Sequence, residues 1–247
     1  MSDNKLQETD IASLHIKDKD TGNEADVKAA SLEEPPMGGK LKIWRIENFE
    51  KVLVSADTYG EFFDGDSYIV LYTYTKGTSS TEEYIIYFWQ GNDSTKDETG
   101  SSAVLTTMLD DELGGTPVQI RVTQGKEPRH FRALFNGAMI VHFGGVASGF
   151  KNVDDEDEED EDGVALYQVH GSDSSNTYGI FTKSVASSLT SRDCFCLVNG
   201  RKVYLWEGSG SNDAEKQAAM KIALRLKLRF KCRGDPTVVV EGREPAR

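Results

Sequence analysis

Asp66 and Glu98, and again Asp193 and Glu215, are the side chains in this sequence best placed to do chemistry. Each aspartate opens an apolar run, Ser67-Tyr68-Ile69-Val70-Leu71 after Asp66 and Cys194-Phe195-Cys196-Leu197-Val198 after Asp193. Each glutamate stands nine residues after the tryptophan of a Trp-x-Gly, Trp89 and Trp206. A strand start and the first turn of a helix can meet when the helix lies on the sheet, and two carboxylates held close repel unless a cation lies between them. Calcium takes carboxylates and backbone carbonyls, so Gly65-Asp66 with Glu98 is a reasonable ligand set. A single such pair reads more readily as two solvated acids at a turn and a helix start. Recurrence at matched positions favours the metal.

The matched positions belong to a longer repeat. Trp89-Gln90-Gly91 is followed by Gln124-Gly125-Lys126-Glu127-Pro128, and Trp206-Glu207-Gly208 by Glu241-Gly242-Arg243-Glu244-Pro245. Tryptophan to the glycine of the GxEP element is thirty-six residues in both copies. Two long spacings kept identical indicate a duplicated domain. The predicted organisation is a disordered polar tail over 1–39, a first repeat over 40–151, an acidic linker over 152–163 and a second repeat over 164–247.

The elements that must position the acids follow from periodicity. Residues 41–46, 67–75, 84–89, 118–122 and 139–143 are short and rich in β-branched and aromatic residues, as strands are. Residues 94–113 read as a long helix with Ser94 at its cap, acids in its first turn, and a stripe of Val104, Leu105, Met108 and Leu109. A shorter helix is expected over 128–135, with Pro128 near its start. The fold class is α/β (α+β), with about five strands between one long and one short helix. In the second copy the strands are 164–169, 193–198, 202–206 and 237–240, and the long helix is 212–230. There, alternation of Leu224, Leu226, Leu228 and Phe230 with basic residues is strand-like, but the repeat register favours helix. The second copy stops just after its GxEP element, so it is expected to lack a short helix and an edge strand and to leave an apolar face uncovered.

Composition excludes several classes. Nine of the net −13 charges lie in one run, residues 154–162, so the remainder is only mildly acidic and no basic field for nucleic acid exists. No apolar stretch reaches the length of a transmembrane segment, and the N-terminus has no secretion-signal layout. Three cysteines argue against a disulfide scaffold, and Cys194 and Cys196 read as core residues. The acidic run is not an EF-hand, because Val169 stands where that loop needs Glu. Four scattered histidines, with no phosphate loop or nucleophile elbow, give no support for an enzyme. Lys221, Arg225 and Arg229 form a basic stripe at i, i+4, i+8, suited either to an anionic surface such as lipid headgroups or acidic protein, or simply to solvent.

Ile43-Trp44-Arg45-Ile46-Glu47-Asn48, Tyr59-Gly60-x-Phe62, Gly65-Asp66-Ser67-Tyr68, Trp89-x-Gly91, Asp97-Glu98, Leu109-Asp110-Asp111-x-Leu113-Gly114-Gly115, Val118-Gln119-x-Arg121 and Gln124-Gly125 resemble the gelsolin/villin/severin family of actin regulators. The likeness covers the first repeat and extends less closely to the second. Residues 144–151 are similar to the end of the family's first repeat, and residues 115–119 and 125–128 to its fourth; both bind actin monomers in the family.

The resemblance implies two gelsolin-like domains, each built on a mixed sheet. It implies one calcium ion (Ca2+) held by the carbonyl of Gly65, the side chains of Asp66 and Glu98, and the carbonyl of Val146. It implies a second calcium half-coordinated by Asp110 and the carbonyls of Gly115 and Pro117, completed by an actin carboxylate. It implies a third at the Arg192 carbonyl, Asp193 and Glu215. The long helix would enter an actin cleft, with Val104, Leu105 and Met108 as apolar contacts. The implied protein is cytoplasmic, associated with the actin cytoskeleton, binds actin monomer and filament, and severs or caps filaments under calcium control. The acidic linker departs from the family's basic, phosphoinositide-binding one, leaving Lys221, Arg225 and Arg229 as the substitute lipid site. Cys194 matches one partner of a disulfide in an extracellular relative, but Glu207 occupies the other position, so no bridge is expected.

Overall fold

Alternating β-branched and aromatic residues produce most of the strands, and the two long helices lie on the faces those strands make apolar. A computed structural model describes residues 38–78, 80–145 and 163–244, and for residues 97 and 98 the backbone alone. The tail apart from its last two residues, the acidic run and Val146 lie outside them. In chain order the strands are β1 (Lys40–Glu47), β2 (Glu50–Leu53), β3 (Glu61–Phe63), β4 (Ser67–Thr75), β5 (Glu82–Gln90), β6 (Val118–Thr123), β7 (Ile140–His142), β8 (Val164–His170), β9 (Tyr178–Thr182), β10 (Cys194–Asn199), β11 (Lys202–Glu207) and β12 (Thr237–Val240). The helices are α1 (Lys96–Glu112), α2 (Arg129–Ala133) and α3 (Asp213–Arg229).

The first sheet has the order β2-β1-β4-β5-β6. It is antiparallel except for β5 and β6, which pair in parallel, with α1 as the crossover between them. Period-two alternation gives it two apolar faces. Tyr68, Val70, Tyr72, Tyr87, Trp89 and Val122 face α2, where Phe131 and Phe135 cover them. Trp44, Ile46, Ile69, Leu71 and Ile86 face α1 and meet Leu105 and Leu109. The β1–β2 hairpin closes on Asn48 and Phe49, both at positive φ (47° and 65°), as a two-residue primed turn requires. α1 starts at Lys96, two residues later than expected, and the Ser94 hydroxyl donates to the Gly91 carbonyl at 2.8 Å.

The second sheet has the order β12-β11-β10-β8-β9-β7-β3 and crosses between the repeats. The strand expected over 139–143 to close the first sheet is β7, and it pairs instead with β3 and with β9, both in parallel. The first sheet reaches five strands through β2. The hydrophobic pattern of a short strand marks its conformation but not its partner, which explains the difference. α3 forms as the repeat register required. Ala218, Ala219, Ile222, Ala223 and Leu226 are buried against Tyr167, Val169, Cys194, Cys196 and Leu205. Its start is fixed by a capping box, in which Asn212 Oδ1 accepts from the Glu215 amide and Glu215 Oε2 from the Asn212 amide, both at 2.9 Å. The three cysteines are free and buried, and Cys194 faces Glu207 across the β10–β11 ladder. Burial pushes the Cys194 thiol up to about 11, as befits a core residue.

Candidate metal centres and partner-binding helix

The turn between β3 and β4 brings three acids into one neighbourhood. Its backbone is tied to the end of β7 and the residues just after it: the Asp64 amide donates to the His142 carbonyl and the Gly65 amide to that of Gly144, both at 3.0 Å. Asp64 Oδ1 accepts from the Gly144 amide at 2.6 Å. Gly65 is required by this approach, because a Cβ there would lie 2.9 Å from the Gly145 nitrogen. Asp66 is buried, and its Oδ2 accepts from the Tyr68 hydroxyl at 3.2 Å. Burial, then the nearby charges of Asp93 and Asp66, push the Asp64 carboxyl up, while the Gly144 amide pulls it down. Burial and the Asp66 charge push the Tyr68 phenol well up. Asp64 and Asp93 escaped the sequence reading; their signal was position, one beside Gly65 and one two residues after Gly91. Glu98 is the third residue of α1, with its side chain outside the described atoms, and Val146 lies outside altogether.

At the other end of α1, Asp110 carries the clearest chemical signature. Its backbone carbonyl accepts from the amides of Leu113 (3.1 Å) and Gly115 (2.9 Å), closing the helix. Gly114 and Gly115 both sit at positive φ, 79° and 68°, and turn the chain into Pro117 and β6. Asp110 Oδ1 is buried with no hydrogen-bond partner. A buried carboxylate oxygen without a donor is costly, and a cation repays that cost. The donor chemistry here therefore fits a hard metal ion.

The second repeat presents its acids differently. Asp193 Oδ2 accepts from Gln168 Nε2 and from the Thr190 hydroxyl, both at 2.7 Å. Glu215 is buried, with Oε2 engaged by the Asn212 amide and Oε1 by the Gly171 amide at 3.1 Å. Burial pushes the His170 imidazole down against the opposing charges of Asp193 and Glu215. Both acids thus have protein donors, and a metal at Arg192, Asp193 and Glu215 would take the carboxylate lone pairs those donors leave. Among the described residues no group of three or more His, Cys, Asp or Glu is arranged to hold a metal ion.

α1 resolves the question of which residues it offers outward. Ser101, Ser102, Leu105, Thr106 and Leu109 are buried toward the first sheet. Leu105 is 8% exposed and belongs to the core, so the reading of it as a partner contact is corrected: a stripe one turn wide serves one face only. Val104 is half-buried and Met108 is 42% exposed, and these two remain outward.

The basic stripe of α3 is also reassigned. Lys221 Nζ donates to the Asn136 carbonyl at 2.8 Å, Arg225 Nη1 to the Tyr59 carbonyl at 2.6 Å, and Arg229 Nη1 meets Glu61 Oε2 at 2.8 Å. All three acceptors lie in the first repeat. The stripe is a clasp between repeats rather than a free lipid-binding face. Beneath it, His142 Nδ1 bonds the Tyr167 hydroxyl at 2.9 Å, and Nε2 lies 3.3 Å from Glu61 without hydrogen-bond geometry.

Two mixed sheets, each flanked by a long helix entered after a Trp-x-Gly and each carrying an acid at the same strand start, define a tandem-repeat α+β protein whose acids sit in turns. A gelsolin repeat model matches residues 48–132 and 183–247, more than half of the sequence. The chain belongs to the gelsolin repeat family of gelsolin and villin proteins. It is 38% identical over 236 residues to advillin of Mus musculus, covering 96% of this chain and 26% of that protein. It is 46% identical over 185 residues to gelsolin of Xenopus laevis (74% and 42%) and 47% identical over 169 residues to cytoplasmic gelsolin of Homarus americanus (68% and 22%). The chain thus spans 22% to 42% of the length of these relatives. A solved chain in the Thorarchaeota 2DGel3/rabbit actin complex is 25% identical, with a TM-score of 0.35 over 83% of this chain and 95% of that one. Members of this family are not enzymes. Among the described residues no helix is long and apolar enough to cross a membrane.

Proposed function

We propose that this chain is a calcium-regulated actin-binding module of two gelsolin repeats, residues 40–151 and 164–247, acting in the cytoplasmic actin cytoskeleton. The observation that carries the reading is Asp110. Its orphaned buried carboxylate oxygen lies at the end of the same helix that turns Val104 and Met108 outward. An apolar helix face ending in an incomplete oxygen site suits a partner that supplies an apolar groove and a carboxylate. Asp110, with the carbonyls of Gly115 and Pro117, would hold a shared calcium ion. Gly65, Asp66, Glu98 and Val146 would hold another inside the repeat. The ion supplies positive charge among acids that otherwise repel; the residues of the chain supply the shape, through the β3–β4 turn and the start of α1. Family membership supports the reading, and several relatives carry the name gelsolin.

The clasp favours monomer binding or end capping over severing as the chain's own activity. Lys221, Arg225 and Arg229 hold the second repeat against the first, which shortens the reach a side-bound second repeat would need. Sedimentation of the purified chain with monomeric actin, in calcium and in chelator, tests the binding. A complex only in calcium, lost in Asp110→Ala, is the expected result. A complex of equal strength in chelator would refute the calcium bridge. Filament counting by microscopy then separates severing, which raises filament number, from capping, which does not.

A further inference from the structure

Nine acids in a row, residues 154–162, have no part in the proposed function. The described chain resumes at Gly163, directly after Asp162, and there it is anchored. The Gly163 carbonyl accepts from the Gly200 amide at 3.0 Å, in the turn that joins β10 to β11. Successive Cα atoms are about 3.8 Å apart, so Asp160, Glu161 and Asp162 are confined to within about 11 Å of the Gly163 Cα in any conformation.

The anchor stands among cations. Arg201 and Lys202 directly follow Gly200, and both are exposed. The Arg233 amide donates to the Arg201 carbonyl at 2.8 Å, which brings the turn after α3 onto the same end of the second sheet. Lys231 and Arg233 are exposed there, and Cys232 Sγ between them lies 3.8 Å from the Gly200 carbonyl. The acid of that turn, Asp235, is engaged by Lys227 at 3.1 Å. Among the described residues Arg201, Lys202 and Arg233 have no carboxylate partner, so the patch carries positive charge that nothing neutralises.

We propose that the acidic run 154–162 docks on this patch of its own chain, its carboxylates paired with Arg201, Lys202 and Arg233. Each exposed pair is weak by itself. The covalent tether offsets that weakness, because it holds the run at an effective concentration on the order of millimolar and lets several pairs form together. The docked run screens the patch from polyanionic partners, and rising ionic strength releases it. The docking is independent of calcium and of actin.

The test titrates the full chain into a fluorescently labelled synthetic peptide of residues 152–163 at low salt and follows anisotropy. A chain whose nine acids are replaced by Asn and Gln is expected to bind the peptide saturably, about ten-fold or more tightly than wild type, whose own run competes. In that neutralised chain, Arg201→Glu, Lys202→Glu and Arg233→Glu together should abolish binding, and Gln at the same three positions should weaken it about ten-fold. Lys40→Glu, Lys96→Glu and Lys126→Glu, an equal change of charge at exposed lysines of the first repeat, should weaken it less than about three-fold. Absence of saturable binding to the neutralised chain overturns the proposal. So does equally tight binding by wild type, which would leave the patch open to an acidic partner, and so does equal loss from both sets of reversals, which would mark a general field. Sedimentation velocity showing wild type as a dimer that the patch reversals dissolve also overturns it, because the occupant would then be the run of a second copy.

Discussion

Arg229 on α3 and Glu61 on β3 meet at 2.8 Å across the seam between the repeats, although 168 positions separate them in the sequence. The arginine also lies over the Phe63 ring, 4.9 Å from its centroid. Glu61 is nearly buried, so removing its partner leaves a charge in a poor solvent. Arg229→Ala is therefore expected to cost about 2 kcal/mol of stability, less than a fully buried pair because the arginine keeps part of its hydration. Urea denaturation measures it. Glu61→Gln in the Arg229→Ala background should recover part of the loss, since the stranded charge is then gone.

The same seam sets an acid limit. Burial pushes the His142 imidazole below its ordinary range, against the pull of Glu61. Burial would raise the Glu61 carboxyl, but the His142 and Arg229 contacts outweigh it and hold it below the usual value. Both groups bind protons more readily unfolded than folded, so both destabilise the fold as pH falls. The His142 contribution is intact above about pH 6.5 and is lost as pH drops below that value toward its folded pKa; that of Glu61 is lost below about pH 4.5. Melting temperature against pH should be flat from about 8 to 7 and decline below about 6.5. His142→Gln should flatten the upper part of that decline. A wild-type stability that rises on acidification from pH 7 to 6 would contradict a neutral buried imidazole.

Asp110 should show opposite signs in two assays. Replacing it by Asn removes the charge from a half-buried side chain whose Oδ1 has no donor, so the Asp110→Asn protein in chelator is expected to be as stable as wild type or up to about 1 kcal/mol more so. Calcium-dependent actin binding by that variant should fall about ten-fold or more. Equal losses in both assays would mark the residue as a structural helix-end group only.

Leu105 and Met108 sit on the same helix but on different faces, and their alanine variants should separate cleanly. Leu105→Ala is expected to cost about 2–4 kcal/mol, the usual range for a buried leucine. Met108→Ala should change stability by less than about 0.5 kcal/mol while weakening actin binding. Chemical denaturation and sedimentation with actin read the two effects independently.

Glu215 has a structural duty whether or not it meets a metal. Glu215→Ala removes the acceptor for two backbone amides, those of Asn212 and Gly171. A loss of about 1–2 kcal/mol is expected in chelator, measured by thermal melting. A variant of unchanged stability in chelator would show that these two bonds are not formed in solution.

Strong periodicity made β4, β5, α1 and α3 legible, and the two Trp-x-Gly spacings placed α3 where local alternation of Leu224, Leu226 and Leu228 pointed to a strand. β2 was missed because its turn is Asn48-Phe49, without the glycine that usually marks a primed hairpin. β3 and β9 were missed as well, β3 because three residues carry too little pattern to separate from a loop. The clasp was invisible for another reason. Lys221, Arg225 and Arg229 display their periodicity in sequence, but two of their three acceptors are backbone carbonyls, which every residue possesses and no motif records. Of the candidate sites, Asp66 and Asp110 could be picked from spacing and resemblance; the hydrogen bonds that already occupy Asp193 and Glu215 could not.

The paired strands β3 and β7 connect the acidic turn of the first repeat to the sheet of the second. The C-terminal end of each strand runs into the acidic turn, through the bonds from Asp64 to His142 and from Gly65 to Gly144; β3 pairs with β7, and β7 in turn with β9 of the other repeat. Reshaping the turn therefore pulls on this pairing, and opening the pairing slackens the turn. By reciprocity, whatever factor a ligand of the turn adds to closure of the two repeats, closure must return to the affinity for that ligand.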